Sequence, residues 1–368
     1  MKNICFFGCY LKEYSRNISF FEGMNKLKYK YMEIHKEPNI EKLDSQSDIG
    51  IKNILKKLLF TAQSYMILLK PNSRLKDVDA IVVLYPGHLF LPAAWIQSKI
   101  YKKKLVFDSF ISIYNSLVED KKIIKEHSLK AKALKKIESI LLALPDKILV
   151  DSKVKKEIFS KNFNIDKKKI ISIPLTTSSK IYFPKNKVKT SKIVVTFFGL
   201  YNPLQGVQYI AEAANKLKNN NQIKIVMIGD GNGKDEIVKY TIDHKIKNIT
   251  FYPRLKETDL VKKIQQSDIL LGIFSSMKSA KIALPNKAVA AIACKKALIC
   301  AELPAMTEHF THKKNIFFCK PENSKSLADS ILTVSRNKKL RDDIAENGYA
   351  LYREKFIPEV ITNQLMSI

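Results

Sequence analysis

At 368 residues and 42.1 kDa, the chain exceeds the size at which single hydrophobic cores stop growing, which predicts two domains of roughly 150–190 residues. With 46% hydrophobic and 27% charged residues and only 11 glycines and 13 prolines, disordered, collagen-like and low-complexity classes are excluded. The formal net charge of +29 invites an anionic partner, yet arginine contributes only Arg16, Arg74, Arg254, Arg336, Arg341 and Arg353, so the planar fork that reads bases and phosphates is scarce and nucleic acid is disfavoured.

In chain order, short apolar β-branched runs alternate with longer segments of helical period, the pattern of parallel sheets covered on both faces. The first series has strands at Asn3–Phe7, Tyr29–His35, Ala80–Tyr85, Leu105–Asp108, Lys147–Val150 and Ile170–Ile173. Helices over Ile51–Leu69, Leu91–Tyr101, His127–Leu144 and Lys153–Lys161 lie between several of them. A polar linker, Pro184–Ser191, precedes a second series with strands at Ile193–Phe198, Ile223–Ile228, Ile249–Tyr252, Ile269–Phe274 and Ala297–Cys300. The expected architecture is α/β, with two tandem Rossmann-like doubly wound domains facing across a cleft. Residues 1–184 form the first domain and 185–350 the second, while 351–368 form a C-terminal segment packing back towards the first. No internal repeat is evident.

Cys5, Cys9, Cys294, Cys300 and Cys319 form no C-x-x-C pair and no cluster with zinc spacing, so a reducing compartment and no metal site are expected. No signal peptide and no apolar run of about 18 residues is seen, and the expected location is cytoplasmic, or peripheral on the inner face of the cytoplasmic membrane. Basic segments such as Lys52–Lys57 and Lys102–Lys104 are suited to an anionic bilayer; the alternative is a solvated lysine coat.

Residues just past strand ends carry the chemistry in open α/β sheets. In the first series these are Gly8 and Tyr10, His88, and Asp108. His88 and Asp108 are placed to act as a general base or to accept a hydrogen bond from a sugar hydroxyl; the alternative is a loop histidine and a capping aspartate. In the second series they are Gly199 to Gly206, then Gly229-x-Gly231-x-Gly233, Arg254, and the loop Ser275 to Asn286. The glycines let a phosphate approach backbone N–H groups. Gly229-x-Gly231-x-Gly233 is not the dinucleotide fingerprint, and there is no Walker lysine motif. Lys278, Lys281 and Lys287 cluster around a helix N-terminus near Pro285 and Asn286, where the dipole favours an anion such as a diphosphate. Three solvated lysines are the alternative.

The runs Val195-Thr-Phe-Phe-Gly199, Gly206-Val-Gln-Tyr-Ile-Ala, Ile225-Val-Met-Ile-Gly-Asp-Gly231, Ser267-Asp-Ile-Leu-Leu-Gly and Leu284-Pro-Asn-Lys287, with Tyr14-Ser-Arg-Asn17 and Val106-Phe-Asp-Ser, carry a resemblance. The chain resembles the family-4 glycosyltransferases of the GT-B fold (glycosyltransferase group 1), in particular bacterial enzymes of surface polysaccharide and lipid-linked glycan synthesis. The resemblance implies a retaining, metal-independent transferase with no cofactor, taking a sugar from a UDP- or GDP-type donor to a glycan or lipid-linked acceptor. It places Gly199, Gly206, Gly229, Gly231, Arg254, Lys278, Lys281, Asn286 and Lys287 at the nucleotide and diphosphate. Arg16, Gly8 and Tyr10 fall on the acceptor side.

Two features depart from the family pattern. Its Arg and Lys before the second glycine are Tyr201 and Gln205 here, and its two glutamates spaced eight apart fall on Ile282 and Ala290. Glu302 is a candidate for the missing ribose acid. The departures also motivate a second reading, a degenerate, non-catalytic partner of a membrane-associated glycosyltransferase.

Overall fold

A computed structural model describes residues 1–37, 51–120, 122–186 and 190–368, without the side chains of 51–58. The chain divides into two compact units, 1–173 with 362–368, and 174–361. Of the polar stretch 184–191, residues 187–189 lie outside the described residues, as do the side chains of Lys52 to Lys57.

The first unit holds strands β1 (Asn3–Gly8), β2 (Lys30–His35), β3 (Ala80–Val83), β4 (Lys104–Asp108), β5 (Lys147–Val150) and β6 (Ile170–Ser172). They pair in the order β2-β1-β3-β4-β5-β6, all parallel. The second unit holds β7 (Ile193–Phe198), β8 (Ile223–Ile228), β9 (Ile249–Tyr252), β10 (Ile269–Leu271), β11 (Ala297–Ala301) and β12 (Phe317–Cys319). Their order is β12-β11-β10-β7-β8-β9, again all parallel. The expected tandem α/β architecture is thus found, with both sheets buried under helices, as the fully buried β3 and β11 show. Strand order reverses between β1 and β3 and between β7 and β10. The crevice beyond the carboxyl ends at such a switch point is where open α/β sheets bind ligands.

Register is set by a device repeated three times. Asp79, Asp146 and Asp268 each stand one residue before a strand, and each donates its own amide to a neighbouring carbonyl, of Asn3, Leu105 and Val194 respectively. Their carboxylates accept in return from backbone amides of the same neighbouring segments: Asp79 from Lys2 and Asn3, Asp146 from Leu105 at 2.7 Å, and Asp268 from Val194 at 2.7 Å. Sliding either strand by one residue breaks both bonds and turns the apolar set outward.

The strand and helix pattern named neither helix Ser15–Lys26 nor β12, nor most helices of the second unit. Helix Ser15–Lys26 buries Arg16, Asn17, Ser19 and Glu22 beside Phe20 and Met24, so its inner face has no apolar period. β12 is three residues long, too short to show any period. The expected strand Ile269–Phe274 ends at Leu271. Beyond it the Phe274 amide turns to the Gln205 carbonyl and its own carbonyl accepts from Glu322. The final residues are held in the first unit: Tyr29 Oη donates to Asn363 at 3.0 Å, and Lys104 Nζ donates to the Ile368 carbonyl.

Because a hydrogen bond to a charged group contributes about 1.5–3 kcal/mol, Asp268→Ala is expected to destabilise the protein by that amount. Asp79→Ala is expected to cost less, because Asp79 lies at the surface. Urea titrations of the two variants check the order.

Candidate functional site

In the second unit, the residues following β7 and β8 meet at the switch point. Gly199 has φ +147° and Gly229 φ +141°, and a Cβ on Gly229 would fall 1.9 Å from the Gly199 carbonyl oxygen. Gly231, at φ +145°, also passes close to Tyr201, with a Cβ 2.8 Å from its amide nitrogen. These contacts admit glycine only. Tyr201 donates its amide to the Asp230 carbonyl at 2.9 Å and accepts from Gly233 at 3.0 Å, locking the two loops together. Gly206, in the left-handed region at φ +67°, ends the first loop against Phe274 and Ser275 and starts helix Val207–Lys216.

Lys287 enters this junction from helix Asn286–Ala293. Its ammonium lies 3.9 Å from the centre of the Phe197 ring, donates to Gln205 Oε1, and would stand 2.8 Å from a Cβ on Gly199. Burial lowers its pKa to about 7. The three lysines expected around one helix N-terminus are therefore in different settings. Lys278 and Lys281 are exposed on a separate short helix, Lys278–Ile282, while Lys287 is inside. The physical reason is that the Asn286–Ala293 helix is buried on every side from Lys287 onward, whereas the short Lys278–Ile282 helix keeps Lys278 and Lys281 in solvent. Asn286, before Lys287, is half-buried. Tyr201 and Gln205 occupy the places where a basic pair was expected; Tyr201 is buried, and Gln205 meets the charge that Lys287 supplies.

Arg254 is exposed just past β9. Ile282 and Ala290 are buried and apolar. A carboxylate that reaches the 275–276 turn is Glu322, whose Oε1 accepts from the Ser276 amide at 2.9 Å; that contact and Lys281 nearby hold its pKa below the usual range. Glu302 instead lies near His312.

In the first unit, Arg16 and Asp108 are both buried and joined, Nε to Oδ2, at 2.6 Å. Arg16 also donates to the Ile173 carbonyl at 3.3 Å and lies 5.5 Å from the centres of the Phe20 and Phe110 rings. Tyr14, Tyr85 and Phe110 pack mutually, with centroids 5.1 to 5.9 Å apart. Gly8 closes β1 at φ +114°. Tyr10 is turned into the fold, where its hydroxyl donates to Glu33 at 2.7 Å.

His88 lines a cavity of about 240 Å³ together with Tyr85, Leu89, Ile111, Ser112, Ile113 and Leu117. Burial lowers its pKa to about 4, so the imidazole is neutral at pH 7. Its Nε2 has no hydrogen-bond partner among the described residues and stands 3.6 Å from Glu138 Oε1, beyond hydrogen-bond length. Glu138 accepts from Ser112 Oγ at 3.0 Å, the Ile113 amide at 2.9 Å and the Tyr114 amide at 2.7 Å. Burial nonetheless raises its pKa. Sequence reasoning missed Glu138. The available signal was that it is the one acid in the helical stretch Leu129–Ala143, whose other charges are all lysine.

Among the described residues, no group of three or more His, Cys, Asp or Glu could hold a metal ion. All five cysteines are free and buried.

Comparison with known proteins gives this geometry a context. Residues 178–351 match the family model for glycosyl transferases group 1. The chain is 25% identical over 201 residues to the N,N'-diacetylbacillosaminyl-diphospho-undecaprenol alpha-1,3-N-acetylgalactosaminyltransferase of Campylobacter jejuni, covering 55% of this chain and 44% of that protein. It therefore spans under half the length of that relative. It is 25% identical over 339 residues to the chitobiosyldiphosphodolichol beta-mannosyltransferase of Debaryomyces hansenii, covering 79% and 69%. Among solved structures, a sucrose-phosphate synthase from Thermosynechococcus elongatus superposes with a TM-score of 0.75 at 12% identity, covering 100% of this chain and 98% of that one. The Anabaena protein Alr3699/HepE in complex with UDP and glucose superposes at 0.71 with 16% identity and the same coverage. These likenesses show that the fold is that of the GT-B glycosyltransferases.

The buried pair yields a prediction separating support from chemistry. Asp108→Ala strands the Arg16 charge and is expected to cost about 3–5 kcal/mol. The double variant Arg16→Met/Asp108→Leu removes both charges and is expected to regain most of that loss. Thermal unfolding of the three proteins measures it; additive losses would show that the pair is not coupled.

Proposed function

We propose that this chain, whose residues 178–351 belong to the group 1 glycosyltransferases, transfers a sugar from a nucleotide-sugar donor of UDP or GDP type to a glycan or lipid-linked acceptor. The observation that carries the reading is the glycine junction with Lys287 beneath it. In this reading the donor diphosphate lies over Gly199, Gly206, Gly229 and Gly231, whose lack of side chains lets it approach the backbone at the start of helix Val207–Lys216. Leaving-group charge on the diphosphate is met by Lys287 and by the exposed Lys278 and Lys281, without a metal ion. Arg254 and Asn286 flank the nucleotide, and Glu322 offers the carboxylate for its ribose.

His88, neutral and with a free Nε2, accepts the acceptor hydroxyl in the first-unit cavity. Asp108 acts through Arg16 as a positioning residue, while Gly8 and Tyr10, which do not line the cavity, support β1 beside it. Support for a lipid-linked acceptor comes from the two relatives, whose names carry diphospho-undecaprenol and diphosphodolichol. Those names carry alpha in one case and beta in the other. Retention, which the sequence resemblance implies, is therefore tested directly by the anomeric configuration of the product.

A second reading, a non-catalytic partner subunit, is favoured by the apolar, buried Ile282 and Ala290 where acids were expected. An assay of UDP- and GDP-sugars with a polyprenyl-diphosphate-linked acceptor distinguishes the two. Donor binding without any sugar transfer selects the second reading.

Lys287 adds a pH signature. With its pKa near 7 in the unliganded protein, about half the amines are neutral at pH 7, and a bound diphosphate raises the pKa by favouring the charged form. UDP binding at pH 8 is expected to take up close to one proton per site and to weaken as pH rises. Calorimetry in buffers of different ionisation enthalpy measures the uptake. Lys287→Met is expected to abolish it and to lower kcat/KM about 10- to 150-fold. Unchanged uptake in the variant refutes the assignment.

A further inference from the structure

Helix Leu129–Ala143, sequence LKAKALKKIESILLA, has two opposed faces. Inward, its single acid, Glu138, holds Ser112, Ile113 and Tyr114, and Ser112 and Ile113 line the His88 cavity. Outward, Leu129, Ile137 and Ile140 are 84%, 56% and 55% exposed, interleaved with exposed Lys130, Lys132 and Lys136. At about 100° per residue, Leu129, Ala133, Lys136 and Ile140 fall on one stripe, with Lys132 and Lys130 on either side of it. The preceding segment continues the pattern, with Ile123 68% exposed beside exposed Lys122 and Lys125. From 122 to 140 the only exposed acid is Glu126.

We infer that this face of the first unit docks on an anionic lipid bilayer. A groove on a protein partner would cover a contiguous apolar stripe. Here the apolar side chains alternate with ammonium groups on long stems, the arrangement in which Leu and Ile enter the acyl boundary while lysines reach lipid phosphates. The charge is complementary to such a surface and has little local acid to offset it. Position supports it too: the Ile123 amide donates to the carbonyl of Leu117, a cavity-lining residue, at 2.9 Å. Docking there brings the cavity to the lipid phase, which rests on the reading of that cavity as the acceptor site. Of the segments that sequence alone singled out for this task, Lys102–Lys104 serves it less well, since Lys103 and Lys104 donate to the carbonyls of Lys76 and Ile368.

The test is sedimentation of the full chain with phosphatidylcholine vesicles, with and without phosphatidylglycerol. Binding is expected only with the anionic lipid and is expected to fall with salt. Lys130→Glu/Lys132→Glu/Lys136→Glu is expected to weaken it at least about 100-fold, and Ile137→Ser/Ile140→Ser about tenfold. A parent chain that ignores both vesicle types, variants that bind like the parent, or lipid-free dimerisation dependent on Ile137 and Ile140 would each overturn the proposal. UDP titration of the same variants, expected to match the parent, shows that they are folded. It also keeps this test apart from the transferase reading: a parent that binds vesicles but not UDP loses that reading and keeps this surface.

Discussion

Two backbones pass so closely beyond β7 and β8 that the second cannot carry a side chain at Gly229 or Gly231. The Gly229 Cα faces the Gly199 carbonyl where a methyl would overlap it, and a methyl on Gly231 would also crowd the Tyr201 backbone. A parallel sheet brings consecutive loops to one edge but does not by itself make them touch. Glycine does that here, leaving a stretch of backbone without side chains bordered by the start of a helix. The position of Lys287 then follows, because its ammonium lies directly under Gly199. Enlarging Gly199 would press on that ammonium, and enlarging Gly229 would push away the loop that covers it.

The second constraint is dielectric. The polar groups beyond both sheets are mostly dry, so each is either paired or held in its neutral form. Arg16 and Asp108 are paired. His88 is kept neutral, and Glu138 is surrounded by donors yet still raised in pKa. Lys287 sits at the balance point, with an aromatic ring and a neutral amide oxygen as partners and, among the described residues, no carboxylate paired with it. A buried cation without a counter-ion has a large stake in an arriving anion. A diphosphate there would replace an electrostatic cost with an ion pair in a poorly screened site.

Much of this was legible in the sequence, for identifiable reasons. Fully buried parallel strands announce themselves as apolar β-branched runs, and eleven of the twelve strands were found that way. Glycines after strands marked the loops. Helix Ser15–Lys26 was hidden because its inner face is polar, and that polarity is the Arg16–Asp108 pair itself. Glu138 was hidden because a helix pattern does not say which polar residue faces inward. Lys287 was singled out for an anion, but its burial was not legible, since a lysine in a lysine-rich chain gives no hint that its neighbours on the helix face the core.

The scarcity of arginine shapes how the charge of +29 is used. Tasks that suit a guanidinium fall to lysine: Lys155 pairs with Asp151 at 2.9 Å under Phe110, Lys296 donates to the buried Gln265 carbonyl at 2.6 Å, and Lys263 lies 4.2 Å from the centre of the Tyr252 ring. The exchange is not neutral. A guanidinium stays charged in any setting, whereas an ammonium gives up its proton when desolvated. At the glycine junction an arginine would hold a fixed charge and carry its full desolvation cost when the site is empty. Lysine can be neutral in the empty site and charged in the filled one, so the same residue tolerates burial and still meets an anion. The rest of the lysines, left in solvent, keep their charge and their stems. Where those stems alternate with exposed isoleucine and leucine, a surface forms that arginine's rigid fork would bind more tightly to single phosphates but adapt less well to a fluid layer of them.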